Sequence, residues 1–334
     1  MKKILAVNFL IIVTILFIIE ISLRFFNVVG LQGYDKNFFI LDKGIVMNNP
    51  KSFMKVAGVK IRTDENGFRI PTKNYNFRND QTSVLILGDS VSFGFGVEEE
   101  ETFIGILRNK FEHNLLNASV IGHNLKSYKF VLKKLADEEK NIKKIIIFIC
   151  LNDIIQNQGV LTEAEIKKIR KSQDENIVQK FLKNDFFLKL NFYLRDKSAL
   201  FVYIKSLSTN SIKRGYVNDV RPFYDNKRLL NDFSLQIDEI VSYAELKNMP
   251  IDFVLLPFAH QLNSDCKDDI LVPQKIINNI FSKIDKQFYD FTTYFCNNTK
   301  NNLYLNYDPV HLSRAGHQLV SRLIIEKNLF KNSD

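Results

Sequence analysis

The chain has 334 residues, of which 46% are hydrophobic and 25% are charged. This length and composition allow one large folded domain or two modest ones and exclude a disordered protein. The formal net charge is +9, but the lysines stand in pairs among acidic residues and not in a basic stripe interleaved with aromatic residues. We therefore predict solvated surfaces and no nucleic-acid partner, with attraction to an anionic lipid or acidic glycan as the alternative.

The amino-terminal segment is long and apolar enough to cross a membrane. Residues 4–19 contain only two polar side chains, Asn8 and Thr14, and the apolar run continues to roughly 20 residues, the length of a transmembrane helix. Two lysines before the run favour a cytoplasmic amino terminus. A cleaved signal peptide would need small residues after the run, where only Ser22 is found. We predict that residues 1–24 anchor the chain in a membrane and that the remainder lies outside the cytoplasm.

The remainder divides into a lead-in and an α/β domain. Residues 25–81 are predicted to form a stalk or lead-in segment with several turns. Apolar strands and helices then alternate, with strands predicted at 83–88, 115–119, 143–151, 251–257 and 287–291, and helices at 101–113, 124–140, 229–247, 272–285 and 313–328. This alternation predicts a flavodoxin-like three-layer α/β/α sandwich with a mostly parallel sheet over residues 82–330. A helical insertion is expected at about 157–228, where strand signals are missing.

The loop after the first strand of this domain has the sequence Gly88-Asp89-Ser90. A serine at this place would be exposed at the carboxyl edge of the sheet, where doubly wound proteins have their active sites. The loop is not the nucleophile elbow of α/β-hydrolases, because no glycine lies two residues before the serine. On its own the motif is a weak signal, since turns after strands favour the same residue types.

Two later loops carry residues of complementary chemistry. Asn152 and Asp153 follow the most apolar strand of the chain. Near the carboxyl end, Asp308 lies three residues before His311. That spacing allows a carboxylate to hold an imidazole in one tautomer, as the acid of a catalytic triad does. In isolation, His311 would be interpreted as a helix-capping or core-edge histidine.

Together these loops resemble the motif blocks of the SGNH (GDSL-type) hydrolase superfamily, in order and in approximate spacing over residues 83–328. The resemblance implies that Ser90 is the nucleophile, His311 the general base and Asp308 the acid that orients it. The expected reaction is acyl transfer through a serine ester.

The same resemblance implies an oxyanion hole. Gly122 matches the glycine of the second block and Asn152 the asparagine of the third, so the expected donors are the backbone N–H groups of Ser90 and Gly122 and the Asn152 amide. The third block departs from the family pattern, because Cys150 stands where it usually has glycine.

The amino-terminal region has a familiar pattern as well. A single membrane span that ends in Glu20 and Arg24, followed by Asn66-Gly67-Phe68-Arg69, resembles bacterial membrane-tethered SGNH proteins linked to modification of envelope glycans. This implies a periplasmic or outer-face position at the cytoplasmic membrane. The substrate would be an esterified glycan or a lipid-linked sugar, contacted by Asp89, Asp153 and His123. No metal or cofactor is expected.

We therefore expect a carbohydrate esterase that removes acetyl or similar groups. The first alternative is an O-acyltransferase that uses the same triad to acylate an envelope glycan. A single span cannot carry acyl groups across a bilayer, so this alternative needs a polytopic membrane partner to supply them. The second alternative is a non-catalytic glycan-binding or assembly protein that keeps the fold.

The three cysteines leave one question open. Cys150 lies in an apolar run and is predicted to be a buried thiol. Cys266 and Cys296 are able to pair if the domain folds in an oxidising compartment, but their spacing does not establish that they do.

Overall fold

The computed structural model describes residues 2–26, 28–31, 33, 35–72, 81–108, 110–111, 113–137, 141–155, 160–171, 185–208 and 210–330. Part of the predicted lead-in (73–80) and parts of the predicted insertion (156–159 and 172–184) lie outside the described residues.

The described strands are β1 (Phe39–Asp42), β2 (Ile45–Asn48), β3 (Phe53–Val56), β4 (Val59–Thr63), β5 (Arg69–Ile70), β6 (Ser83–Leu87), β7 (Asn114–Asn117), β8 (Ile142–Cys150), β9 (Ile251–Leu256) and β10 (Gln287–Asp290). The described α-helices are α1 (Lys2–Phe25), α2 (Ser90–Phe93), α3 (Phe103–Arg108), α4 (Leu125–Asp137), α5 (Glu163–Lys171), α6 (Asp185–Lys197), α7 (Ala199–Ser208), α8 (Ser211–Val217), α9 (Lys227–Leu246), α10 (Ala259–Asn263), α11 (Val272–Phe281), α12 (Thr292–Cys296) and α13 (Arg314–Glu326). Short 3₁₀ turns cover Lys36–Phe38, Glu99–Glu101, Leu151–Ile154 and Arg221–Asp225.

Five parallel strands form the centre of the fold. They lie in the order β7-β6-β8-β9-β10, which is the flavodoxin-type order. Every residue of β6 and of β9 is buried, as expected for strands covered on both faces by helices. The predicted fold class is therefore confirmed.

Helices cover both faces of this sheet and make two separate cores. On one face α4, α9 and α11 contribute side chains such as Tyr128, Phe233 and Ile277. On the other face α3 and α13 contribute side chains such as Phe103 and Val320. The described part of the predicted insertion, from residue 160 to α8, is mostly helical and has only an isolated bridge residue in place of a strand.

The lead-in is not only a stalk. Strands β3, β4 and β5 pair antiparallel and extend the central sheet beyond β7, so that the complete order is β10-β9-β8-β6-β7-β5-β4-β3. The apolar side chains of β3 and β4 pack with Phe38, Phe93 and Phe95 in a third core. The predicted boundary at residue 82 therefore falls inside one continuous sheet. Side chains alternate in β4 (Val59, Ile61 and Thr63 buried, Lys60 and Arg62 exposed), as expected for an antiparallel strand with one face on a core and one in solvent.

Helix α1 stands apart from these cores. Almost all of its apolar side chains are exposed, and among the described residues it is the one helix long and apolar enough to cross a membrane. A signal sequence would satisfy the same criterion. At its carboxyl end, Leu23 packs against Ala199 of α7, so α1 is joined to the folded part through the helical insertion.

The open question about the cysteines has a structural answer. Cys266 and Cys296 form a disulfide, with their Cα atoms 6.1 Å apart. It joins the loop after α10 to the end of α12. Cys150, at the end of β8, is a buried free thiol as predicted.

Candidate active site

The loop after β6 presents Ser90 at the carboxyl edge of the sheet. Asp89 has an extended backbone and caps α2, its Oδ1 accepting a hydrogen bond of 2.9 Å from the Val91 N–H. A side chain at Gly88 would place its Cβ only 2.0 Å from Ser92 Oγ, so the tight turn requires glycine. Helix α2 then ends at Gly94, whose φ of +86° favours glycine. Ser90 is therefore the first residue of a very short helix and is half-buried.

Ser90, His311 and Asp308 form a continuous hydrogen-bonded chain. His311 Nε2 lies 2.9 Å from Ser90 Oγ, and His311 Nδ1 lies 2.7 Å from Asp308 Oδ2. The second carboxylate oxygen of Asp308 accepts hydrogen bonds from the backbone N–H groups of Val310 (2.9 Å) and His311 (2.8 Å). The carboxylate is thus held by its own loop, and it holds the imidazole so that Nε2 faces the serine.

The electrostatics of the pair suit a general base. Burial opposes the charge of Asp308, but the nearby His311 and the hydrogen bonds from His311 and Val310 outweigh it and lower the pKa of the carboxyl. Burial likewise opposes a charge on His311, but the Asp308 carboxylate outweighs it and raises the pKa of the imidazole above its usual value of 6.5. A pair with these properties is able to stabilise an imidazolium beside Ser90.

Asn152 is held beside the nucleophile by Asp89. Its Nδ2 donates a hydrogen bond of 3.2 Å to Asp89 Oδ2. Because an amide nitrogen has two hydrogens, this bond fixes the orientation of the amide and leaves a second donor. Burial raises the pKa of Asp89, against hydrogen bonds from Val91 and Asn152.

Asp153 stabilises the same loop through buried hydrogen bonds. It is fully buried, accepts hydrogen bonds of 3.1 Å from the Tyr128 hydroxyl, and accepts another of 3.1 Å from the Cys150 N–H. Burial and the neighbouring Asp89 raise the pKa of Asp153 well above its usual value. Both aspartates thus bind protein groups in this structure, and their predicted contact with substrate stays a prediction.

The loop after β7 contains the other predicted residues. Gly122 is exposed and has a φ of +83°, a conformation that glycine adopts at no steric cost. His123 is buried, and its Nε2 donates to the carbonyl of Val46 in β2 at 2.5 Å. Burial lowers the pKa of His123 to about 4, so the ring is neutral. In this position His123 fastens the lead-in to the domain, and its contact with substrate stays a prediction.

Two residues that the sequence did not single out for this site support the triad. The Phe95 ring packs on His311 with the ring centroids 4.4 Å apart. Arg69, fully buried, donates to the carbonyls of Phe93 (2.5 Å), Gly94 (2.6 Å) and Val97 (2.5 Å). Burial lowers the pKa of Arg69 to about 10, so it keeps its charge at neutral pH. The sequence signal for this role of Arg69 was an arginine flanked by the apolar residues Phe68 and Ile70, in a region predicted to form turns.

The arrangement is that of a serine hydrolase: a serine, a histidine and an aspartate in hydrogen-bonding sequence at the carboxyl edge of a doubly wound sheet.

Comparisons with known proteins give only distant matches. No protein-family profile matches the chain, and no curated protein matches it. Among solved structures, a G-D-S-L family lipolytic protein from Veillonella parvula is similar at 13% identity and a TM-score of 0.43, over 73% of this chain and 97% of that one. A psychrotrophic esterase from Pseudoalteromonas is similar at 12% identity and a TM-score of 0.43, over 75% and 100% of the two chains. An acetyl-xylooligosaccharide esterase from Geobacillus is similar at 14% identity and a TM-score of 0.42, over 75% and 96%.

Proposed function

We propose that this chain is a membrane-anchored SGNH-type serine esterase that acts on ester groups, foremost O-acetyl groups, of an envelope carbohydrate or glycolipid. The observation that carries the proposal is the position of His311 between Ser90 Oγ and Asp308 Oδ2, at 2.9 and 2.7 Å. A purely structural histidine would not need a hydroxyl on one nitrogen and a carboxylate on the other.

The reaction begins with proton transfer. His311 Nε2 takes the proton of Ser90 as Oγ forms a bond to the ester carbonyl carbon. The tetrahedral intermediate collapses, the bond to the alcohol oxygen breaks, and His311 gives its proton to that oxygen. Water, activated by His311 in the same way, then hydrolyses the acyl-serine and frees the acid.

The negative charge that develops on the carbonyl oxygen is assigned to three donors. These are the backbone N–H groups of Ser90 and Gly122 and the second amide hydrogen of Asn152. The hydrogen bond from Asn152 to Asp89 supports this assignment, because a donor whose orientation is already held loses little entropy when the charge forms.

Two features support an extracytoplasmic site near a membrane. Helix α1 is exposed along its apolar length, as a membrane anchor is in the absence of lipid. The Cys266–Cys296 disulfide supports placing the domain outside the cytoplasm, since structural disulfides persist in oxidising compartments. Ser90, His311 and Asn152 are partly exposed, so a large ester such as a glycan chain has access to the nucleophile.

O-acyl transfer is a second candidate, and the membrane anchor is the observation that favours it. An anchored domain is held beside a polytopic partner that supplies acyl groups. The chemistry differs in the last step, where a sugar hydroxyl replaces water as the acceptor. Incubation with an acetylated glycan and a deacetylated acceptor separates the two: free acetate indicates hydrolysis, and a newly acetylated acceptor indicates transfer.

The catalytic assignment is tested by covalent labelling of the full chain in detergent. A fluorophosphonate probe should modify Ser90, identified by mass spectrometry, and the label should be lost in Ser90→Ala and in His311→Ala. Ser92→Ala is the matched control, because Ser92 is a buried turn hydroxyl two residues away that contacts the Asp89 carbonyl. Persistent labelling at another residue in Ser90→Ala, with none at Ser90 in the wild type, would overturn the triad.

A further inference from the structure

A cavity of about 130 Å³ borders the triad, with Asp308 and Phe95 in its lining, and it also takes in residues of three helices that the proposed mechanism does not use. Three cationic side chains line it, each from a different helix: Arg195 of α6, Lys205 of α7 and Arg214 of α8. Burial, together with the smaller effects of the charges of Arg195 and Arg214, lowers the pKa of Lys205 to about 8. Three cations against the one carboxylate of Asp308 give the described lining of the cavity a net positive charge, which favours an anion there. Lys205 Nζ also donates a hydrogen bond of 2.7 Å to Asn191 Oδ1.

The cavity lies next to the end of the candidate membrane anchor. Val29 and Gly30, four and five residues after α1, are part of its wall. Glu20 of α1 accepts hydrogen bonds from the backbone N–H groups of Ala199 (2.9 Å) and Leu200 (2.7 Å) at the start of α7. Lys205 is six residues further along α7, or about 9 Å at the rise of an α-helix.

A second contact tightens this junction. Arg24, one turn after Glu20, forms an ion pair with it at 2.6 Å and donates to the carbonyl of Lys197 at the end of α6. Both helices that supply Arg195 and Lys205 are thus fixed to the last turn of α1. Where α1 spans a bilayer, the cavity lies at about the depth of the lipid headgroups, which form a layer of several ångströms on each side of the hydrocarbon core.

The same two helices expose large apolar side chains. Phe186, Leu190 and Tyr193 are exposed on α6, and Ile204 and Leu207 are exposed on α7. Phe186, Leu190 and Tyr193 are spaced by four and three residues and so lie on one helical face. A bilayer interface accommodates such a face next to cations, because apolar groups enter the acyl boundary while cations stay with the phosphates.

We propose that the cavity lined by Arg195, Lys205 and Arg214 binds the phosphate of an anionic membrane lipid. The proposal rests on α1 being a membrane anchor but not on the esterase activity. A lipid phosphate and a soluble phosphate would both be held through phosphate oxygens by guanidinium and ammonium donors. The exposed apolar face and the junction with α1 favour the lipid.

The test measures lipid retention by the full chain in detergent micelles, using native mass spectrometry. Dioleoylphosphatidylglycerol, dioleoylphosphatidylcholine and inorganic phosphate are titrated separately. Phosphatidylglycerol should bind in one-to-one stoichiometry, and Arg214→Glu should weaken it by about 10-fold or more, the effect of losing one charge-assisted hydrogen bond. Arg214 is exposed, so the reversal of its charge is compatible with folding; Lys205→Gln provides a second variant.

Arg322→Glu is the matched control, since Arg322 is also exposed on a helix and pairs only loosely with Glu326, at 3.7 Å. Equal binding of phosphatidylglycerol by wild type, Arg214→Glu and Lys205→Gln would overturn the site. Inorganic phosphate binding as tightly as the lipid would overturn the lipid as its source. Ser90→Ala should bind the lipid as the wild type does. If the proposed esterase activity is not found, the lipid-binding result therefore still stands.

Discussion

The His311–Asp308 contact sets how the site responds to pH. Because the Asp308 carboxylate lies 2.7 Å from His311 Nδ1, it favours the protonated imidazole and raises the pKa of His311 above 6.5. Only the neutral imidazole is able to accept the serine proton. The rate should therefore increase with pH through a midpoint above 6.5, as His311 loses its proton.

Asp308→Asn tests this relation with p-nitrophenyl acetate as substrate. Without this carboxylate, burial lowers the pKa of His311 against only the smaller effect of the Asp89 charge, so the midpoint of kcat/KM should move to lower pH. The rate should also drop, by about 10⁴-fold if the change behaves as it does in a serine protease triad. An unchanged midpoint in Asp308→Asn would contradict the assigned acid.

The nucleophile loop depends on an interaction between elements that are distant in sequence. Arg69 of β5 binds three carbonyls between α2 and residue 97, and it lies over the Phe93 ring at 5.1 Å. The carbonyls of Phe93 and Gly94 are at the carboxyl end of α2, where a cation is favoured. Phe95, in the same segment, packs on His311. Strand β5 therefore positions the loop that carries one side of the catalytic site.

Arg69→Met should show this dependence. The three buried acceptors would lose their donor, and removal of one partner from a buried charged network typically costs about 3–5 kcal/mol of unfolding free energy. Fluorophosphonate labelling of Ser90 should slow as well, since Phe95 loses its support. Arg62→Met is the matched control, because Arg62 is exposed on the neighbouring β4. Equal stability and equal labelling rates for the two variants would disprove the positioning role.

The molecule as a whole is held together partly by the Cys266–Cys296 disulfide, which closes a 30-residue separation between α10 and α12. Restriction of the unfolded chain by a loop of this length stabilises a protein by about 3–4 kcal/mol. The double variant Cys266→Ser/Cys296→Ser should therefore unfold at lower urea concentration. A reductant should lower the stability of the wild type and leave that of the double variant unchanged. Alkylation of all three cysteines in the unreduced protein, isolated from its membrane, would contradict the disulfide.

Features that depend on local sequence were predictable. The strands β6 and β8 to β10 are short runs of apolar or β-favouring residues, and their alternation with helices predicts a parallel sheet. The turn at Gly88-Asp89-Ser90 needs a glycine without a side chain and an aspartate cap, both of which are visible in the sequence. Asp308 and His311 are three residues apart, so their pairing needs only one turn of backbone.

Other features depend on contacts that no local pattern contains. Ser90 and His311 are separated by 221 positions, and only the folding of β6 and the carboxyl-terminal loop to one sheet edge joins them. Arg69 looked like part of a lead-in segment, because its partners lie more than 20 residues later. His123 and Asp153 looked accessible in loops, but packing against Val46 and Tyr128 buries them.

The sequence alone was therefore enough to predict the class of fold, which follows from hydrophobic patterning within a few residues. The loops that carry the reactive side chains were predicted through their resemblance to known motif blocks. The hydrogen-bonded triad, the extension of the sheet by β3 to β5, the disulfide and the junction between α1 and α7 came only with the folded chain. Each of them joins groups far apart in sequence, and their proximity results from the packing of the cores, which a local pattern does not encode.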